Sequence, residues 1–316
     1  MHRILVTGAA TWTGGRLVWE LEQRRGVEVL AVDEIPQRIA FTSRYHQLGG
    51  DRIELAKIIL DARPDTVVHL LTVDRSSELG SVMAHEQAVI GTQAVVGAIG
   101  RCPTVRRAVI KSDAAVYPIG PRNPSIFAET TPTRGRLSRY GQEIADLEDL
   151  VAQVAPHQPR VSYTVLRLAP IFGRNIRNPL SRFLSLTVVP TLLGFDPRIH
   201  IVHEEDAVAA LLCAVDGTVS GTFNVAATGP MYLSRMLRLG RRVAQPLPGR
   251  GFDAALRGLR RIGVQVPSHL AAMMRHGLVL DTTAMQRDLG FAPHLTVRQT
   301  ALAGYGRMTP EQGTGP

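Results

Sequence analysis

The chain has 316 residues, 45% of them hydrophobic and 20% charged, which excludes a disordered polypeptide and fits one large domain or two small ones. Thirty-six basic against 27 acidic residues give a formal charge of +9, and only two of the basic residues, Lys57 and Lys111, are lysines. Two distant cysteines, Cys102 and Cys213, leave no disulfide framework and no CxxC metal site, so no metal and a reducing, cytoplasmic setting are expected.

Met1-His2-Arg3 leads straight into Ile4-Leu5-Val6-Thr7-Gly8 with no signal-peptide core. The longest unbroken apolar stretch, Ala207 to Val215, is too short to span a bilayer, so a soluble protein is expected.

In chain order, short apolar strands alternate with helix-period segments. Strands are expected at 4–7, 27–32, 66–71, 108–112 and 162–168, and helices at 15–25, 53–62, 82–99 and 142–154. The last helix sets Leu147, Leu150, Val151 and Val154 on one face. This alternation implies an α/β fold, a Rossmann-type doubly wound parallel sheet with right-handed crossovers.

After Arg174 the pattern loosens, with only 200–203 and 222–225 still strand-like. The expected organisation is a nucleotide-binding domain over 1–173 and a smaller mixed α/β substrate domain over 174–316, with segments near 199–226 returning to the first. Between Met231 and His276 there are nine arginines against one acid, Asp253. Such a block suits a diphosphate or an anionic surface, and equally a solvated helical face. With few aromatics and no helix-turn-helix or zinc pattern, nucleic acid is not expected.

The strongest local signal is Val6-Thr7-Gly8-Ala9-Ala10-Thr11-Trp12-Thr13-Gly14-Gly15, which follows a strand and opens a helix. A turn of this kind brings backbone N–H groups up to a pyrophosphate at the positive end of a helix. Gly8 suits the tight turn and Gly14 the close helix–strand packing, whereas Thr11 is expected to crowd the phosphates. Asp33 ends the second strand, where an acid accepts hydrogen bonds from an unmodified ribose and favours NAD over NADP.

With these motifs the chain resembles an extended short-chain dehydrogenase/reductase of the NAD-dependent epimerase/dehydratase family. The family opens with TGxxGxxG, of which Gly8 and Gly14 are kept and Thr11 takes the middle place, flanked by Trp12 and Thr13. Gly50-Asp51-Arg52 resembles the step beside the adenine. Asp65-Thr66-Val67-Val68-His69-Leu70-Leu71, followed by Thr72, resembles the DxVxHLAA strand beneath the cofactor. Ala88-Val89-Ile90-Gly91-Thr92 resembles NVxGT, and Arg167-Leu168-Ala169-Pro170-Ile171-Phe172-Gly173 resembles RxxNxYG. Later landmarks are His203-Glu204-Glu205-Asp206-Ala207-Val208, Phe223-Asn224-Val225-Ala226, and Asp281-Thr282-Thr283 with Leu289-Gly290-Phe291. The resemblance implies NAD as cofactor, a nucleotide-diphosphate-linked substrate held partly by C-terminal arginines, and a homodimer formed through the helices at 82–99 and 142–154.

Family enzymes use a Ser or Thr, a Tyr and a Lys, the lysine lowering the pKa of the tyrosine that moves the proton. Here Lys111-Ser112-Asp113-Ala114-Ala115-Val116-Tyr117 aligns with SSxxxVYG, placing Asp113 at the Ser/Thr position. Tyr140-Gly141-Gln142-Glu143-Ile144 aligns with YGxSK, keeping Tyr140 but placing Ile144 where the lysine belongs. A phenol needs a nearby cation to act as a base at neutral pH. Lys111 and Asp113, two apart on one strand, share a face, so Lys111 could supply that cation and Asp113 orient it or take the proton; an ion pair filling a spent site fits equally.

Three readings stand open: a redox enzyme acting on a nucleotide sugar or polyol, a non-redox enzyme of the same fold using Tyr140 and Asp113 as acid and base, and a non-catalytic NAD-binding regulator. For the last, the Arg block with Leu256, Leu259 and Ile262 at helical spacing would suit contact with an anionic membrane surface.

Overall fold

Leu5, Val67 and Ile110 point to one side of a sheet while Ile4, Val6, Val68 and Val109 point to the other, the period-two pattern of strands buried on both faces. The computed structural model describes residues 1–49, 54–70, 82–133, 135 and 137–308, with backbone alone over 82–90. The first half runs β1 (His2–Thr7), α1 (Trp12–Glu22), β2 (Val27–Asp33), β3 (Arg44–Gln47), α2 (Glu54–Ala62), β4 (Thr66–His69), α3 (Val82–Arg101) and β5 (Arg107–Asp113). It continues with α4 (Arg139–Val154), β6 (Ser162–Leu168), β7 (Ile171–Phe172), α5 (Pro179–Ser185), β8 (Val188–Leu192), β9 (Arg198–Ile199) and β10 (Val202–His203). The last third holds α6 (Glu204–Asp216), β11 (Gly221–Val225), β12 (Met231–Tyr232), α7 (Leu233–Leu239), β13 (Val243–Leu247), α8 (Gly249–Gly258), α9 (Ser268–His276), α10 (Thr283–Arg287) and α11 (Val297–Gly304).

The central sheet has seven strands in the order β11-β6-β5-β4-β1-β2-β3, and every pairing in it is parallel. The order reverses between β4 and β1, so their carboxyl ends open a crevice there, the usual ligand position of such a sheet. One face carries α2, α3 and the Leu147–Val151 side of α4; the other carries α1, α6 and the C-terminal segments.

Sequence reading anticipates the five apolar strands and four helices of this sheet, and β11 adds a further strand at its edge beside β6. It misses β3, whose residues Arg44-Tyr45-His46-Gln47 are polar because the strand forms an exposed edge beyond β2. The single strand expected at 200–203 is two short ones: β9 pairs antiparallel with β12 and β10 parallel with β7. Between them His200 turns inward, its Nε2 on the Ala227 carbonyl at 2.5 Å and its Nδ1 accepting the Leu280 N–H at 3.1 Å. Beyond the sheet, β8 and β13 form a parallel pair against which α8 and α9 pack. No helix among the described residues is long and apolar enough to cross a membrane.

Candidate active site

The turn after β1 is held by its own side chains. Gly8 has φ +76°, the left-handed region that glycine tolerates. The Thr11 hydroxyl donates to the Gly8 carbonyl at 2.7 Å and accepts the Gly14 N–H at 3.0 Å, capping α1. The expected crowding of the phosphates by Thr11 is therefore relieved, because the hydroxyl folds back into the turn. A Cβ on Gly14 would lie 2.2 Å from the Gly8 carbonyl oxygen, so helix and turn approach as closely as glycine permits. The backbone N–H groups of Trp12 and Thr13 find no acceptor among the described residues and stand at the positive end of α1.

Asp33 is fully buried. Its Oδ2 accepts the Ala10 N–H and its Oδ1 the Glu34 N–H, both at 2.7 Å. The carboxylate thus braces the turn from behind and is not part of the cleft wall, where Ile35, Arg38 and Ile39 stand instead.

A cleft of about 1000 Å³ runs from this turn across the carboxyl ends of the strands to the C-terminal region. Of the residues singled out in the sequence, Gly8, Thr11, Trp12, Thr13, Leu70, Lys111, Asp113, Tyr140 and Pro170 line it. Gly14 and Asp33 lie behind the wall, and Asp51, Arg52, Leu71 and Thr72 fall outside the described residues.

Lys111 and Asp113, at the end of β5, do face one side. The Asp113 carboxylate accepts the Ala115 N–H at 2.8 Å and caps the 3-10 turn over 114–116. Tyr140 sits in the first turn of α4, whose N-cap Ser138 accepts the Gly141 N–H at 2.9 Å. Ile144, one turn later, is fully buried in the core. Lys57 is exposed on α2, which leaves Lys111 as the lysine of the cleft.

The second tyrosine of the motif, Tyr117, is committed elsewhere. It donates to Asn224 Oδ1 at 2.7 Å and accepts from Arg167 at 2.8 Å, and burial pushes its phenol up against the pull of the Arg167 charge. Burial works against the Arg167 charge too, but its paired bonds to Glu148 at 3.0 Å and the Glu148 charge keep the guanidinium firmly protonated. Ser112 donates to the same Glu148, and Asn224 further bonds the Phe127 and Asp281 carbonyls. This buried network ties β5, β6, β11 and α4 together beside the cleft.

The far end of the cleft holds residues that sequence reading missed: Asn175, Arg177, Asn178, Arg182 and His269. The signal that could have found the first three is Asn175-Ile176-Arg177-Asn178-Pro179, a capping-box start for α5 just after the family turn, with Arg182 following inside that helix. Glu204 holds this loop, accepting the Asn175 N–H at 3.0 Å and its side-chain amide at 2.8 Å. The Arg block contributes only Arg260 to the wall. Arg275 pairs with Asp253, Arg242 lies over the Tyr305 ring, and the others are exposed. Of the three apolar residues noted beside the block, Leu256 is buried, Leu259 packs on the core and Ile262 is exposed.

Residues 4–226 match the model of the NAD dependent epimerase/dehydratase family. The chain belongs to that family. It is 34% identical over 303 residues to the uncharacterized protein Rv0501 of Mycobacterium tuberculosis, covering 93% of this chain and 80% of that one. Among solved structures, MoeE5 in complex with UDP-glucuronic acid and NAD superposes with a TM-score of 0.74 at 21% identity, over 96% of this chain and 98% of that one. The UDP-glucose 4-epimerase of Thermotoga maritima gives 0.73 at 19% identity over the same shares. These two likenesses establish the fold.

Proposed function

We propose that the chain is an enzyme that binds NAD in the cleft and acts on a hydroxyl of a nucleotide-diphosphate-linked sugar or related polyol. One observation carries the reading: a single cleft joins the Trp12–Thr13 amides, the Lys111–Asp113–Tyr140 cluster and the guanidinium groups of Arg177, Arg182 and Arg260. The two open amides and the Gly14 contact fit a pyrophosphate, while Leu70 and Pro170 offer apolar walls to a flat ring. NAD, when bound, supplies a hydride acceptor and donor.

The chain's own residues then manage the proton. Tyr140 takes it from the substrate hydroxyl, and the Lys111 ammonium stabilises the phenolate in place of the missing lysine. Asp113, fixed by the Ala115 N–H, orients the hydroxyl or the ammonium. The three arginines are placed to neutralise a diphosphate. The division near Gly173, with 199–226 returning to the first domain, separates cofactor and substrate ends of the cleft in this reading. We further propose a cytoplasmic homodimer formed through α3 and α4, to be checked by light scattering.

The test is titration with NAD, followed by incubation with UDP-glucose and related nucleotide sugars and chromatography of the products. Binding of NAD, and turnover that Tyr140→Phe abolishes, are expected. Absence of NAD binding overturns the reading.

A further inference from the structure

Tyr140 and His269 come from different helices that line the cleft, and their rings are in contact, with centroids 5.1 Å apart and planes at 38°. Each is the second residue of its helix, Tyr140 in α4 and His269 in α9. Beneath His269, the buried Leu270, Met273 and Met274 anchor α9 to the core, which fixes the backbone that carries the imidazole. Two first turns thus present a phenol and an imidazole to each other across the place where the proposed chemistry occurs.

The electrostatics of that meeting are directional. The positive end of a helix favours an anion over a neutral group and a neutral imidazole over an imidazolium. A phenolate at the start of α4 and a neutral imidazole at the start of α9 are therefore the matched pair of protonation states. A neutral imidazole still carries one N–H, which can be donated to the phenolate oxygen.

We infer that His269 is a positioning residue for Tyr140, its imidazole N–H bonding the phenolate that accepts the substrate proton. In that step the substrate O–H breaks and the phenol O–H forms. His269 keeps its own proton throughout, adding a hydrogen bond to the charge that Lys111 supplies. The other charged residues that line the same cleft are Arg38 after β2, Lys111 and Asp113 on β5, Arg177 and Arg182 around α5, and Arg260 after α8. On α4 itself, Arg139 pairs with Glu143 at 3.3 Å.

The inference rests on Tyr140 being the proton-transfer group, but its test needs neither NAD nor substrate. Protein labelled with [13Cζ]tyrosine is titrated between about pH 7 and pH 11, with Tyr140→Phe identifying the signal. His269→Phe keeps a ring in place and removes the donor; His269→Gln removes the ring and keeps an N–H. The expected result is that the Phe variant needs about one pH unit more to ionise Tyr140, a roughly tenfold loss of phenolate, while Gln recovers at least half of that shift. An unmoved or lowered Tyr140 titration in the Phe variant, or equal shifts in both variants, overturns it. Failure of NAD binding would sink the proposed function and leave this measurement standing.

Discussion

The Asp33 carboxylate and the Ala10 amide meet at 2.7 Å, joining the end of β2 to the turn after β1. An acid at this place usually serves a ribose. Here it is buried, and its carboxylate accepts the backbone amides of Ala10 in the turn and of Glu34 just after β2. Replacing it by alanine leaves those donors without acceptors, at a cost of about 1–3 kcal/mol. Asp33→Ala should lower the melting temperature and weaken NAD binding together. Weakened binding with unchanged melting would show that the carboxylate acts on the ligand alone.

Thr11 stands where the family has glycine and has made itself the cap of α1. Thr11→Ala removes both hydroxyl bonds and should cost about 1 kcal/mol, whereas Thr11→Gly should cost only a few tenths. Thermal melting of the two variants checks the order. Equal losses would mean that the hydroxyl contributes nothing as a cap.

Ile144 tests whether the family lysine can be put back. Its side chain is fully buried in the core, and an unpaired ammonium there is costly. Ile144→Lys should destabilise the chain by several kcal/mol without raising activity. Lys111→Met, in contrast, should leave melting nearly unchanged and lower turnover at least about tenfold. Full turnover by the Met variant would remove Lys111 from the mechanism.

Arg167 and Glu148 form a buried pair at the hub of the Tyr117–Asn224 network. Arg167→Met alone strands a carboxylate and should cost about 3–5 kcal/mol. The double variant Arg167→Met with Glu148→Leu should recover a large part of that loss, measured by urea denaturation.

His200 gives a pH dependence whose sign is fixed by its burial. Burial pushes its imidazole down to about 4, against the pull of the Ala227 carbonyl. The unfolded chain therefore binds this proton first as pH falls. The stability tied to neutral His200 is fully present above about pH 6.5 and is lost between there and about pH 4, amounting to about 3 kcal/mol. Denaturation midpoints for wild type and His200→Asn should converge as pH drops through that window.

Much of this architecture is written locally. The five apolar strands and the Gly8–Gly14 turn read directly from the sequence, because burial on both sheet faces leaves unbroken runs of Val, Ile and Leu and because a phosphate turn needs glycine at fixed steps. β3 is not legible, since an edge strand with Arg44 and Gln47 carries no buried side to mark it. Nor is the meeting of Tyr140 with His269, which depends on how α9 packs under β8 and β9. The Arg block is conspicuous in sequence, yet Arg177 and Arg182, outside it, line the cleft while most of the block faces solvent.

The place of β11 bears on how the chain is made. A ribosome releases β6 well before β11, and until β11 arrives the Val165-Leu166 edge of the sheet lies open to other strands. A fragment ended at Gly173 keeps that edge permanently, so it should associate during expression, whereas one carried through Ala227 closes it. For nascent chains the interval between these two strands is the window in which a chaperone would matter most.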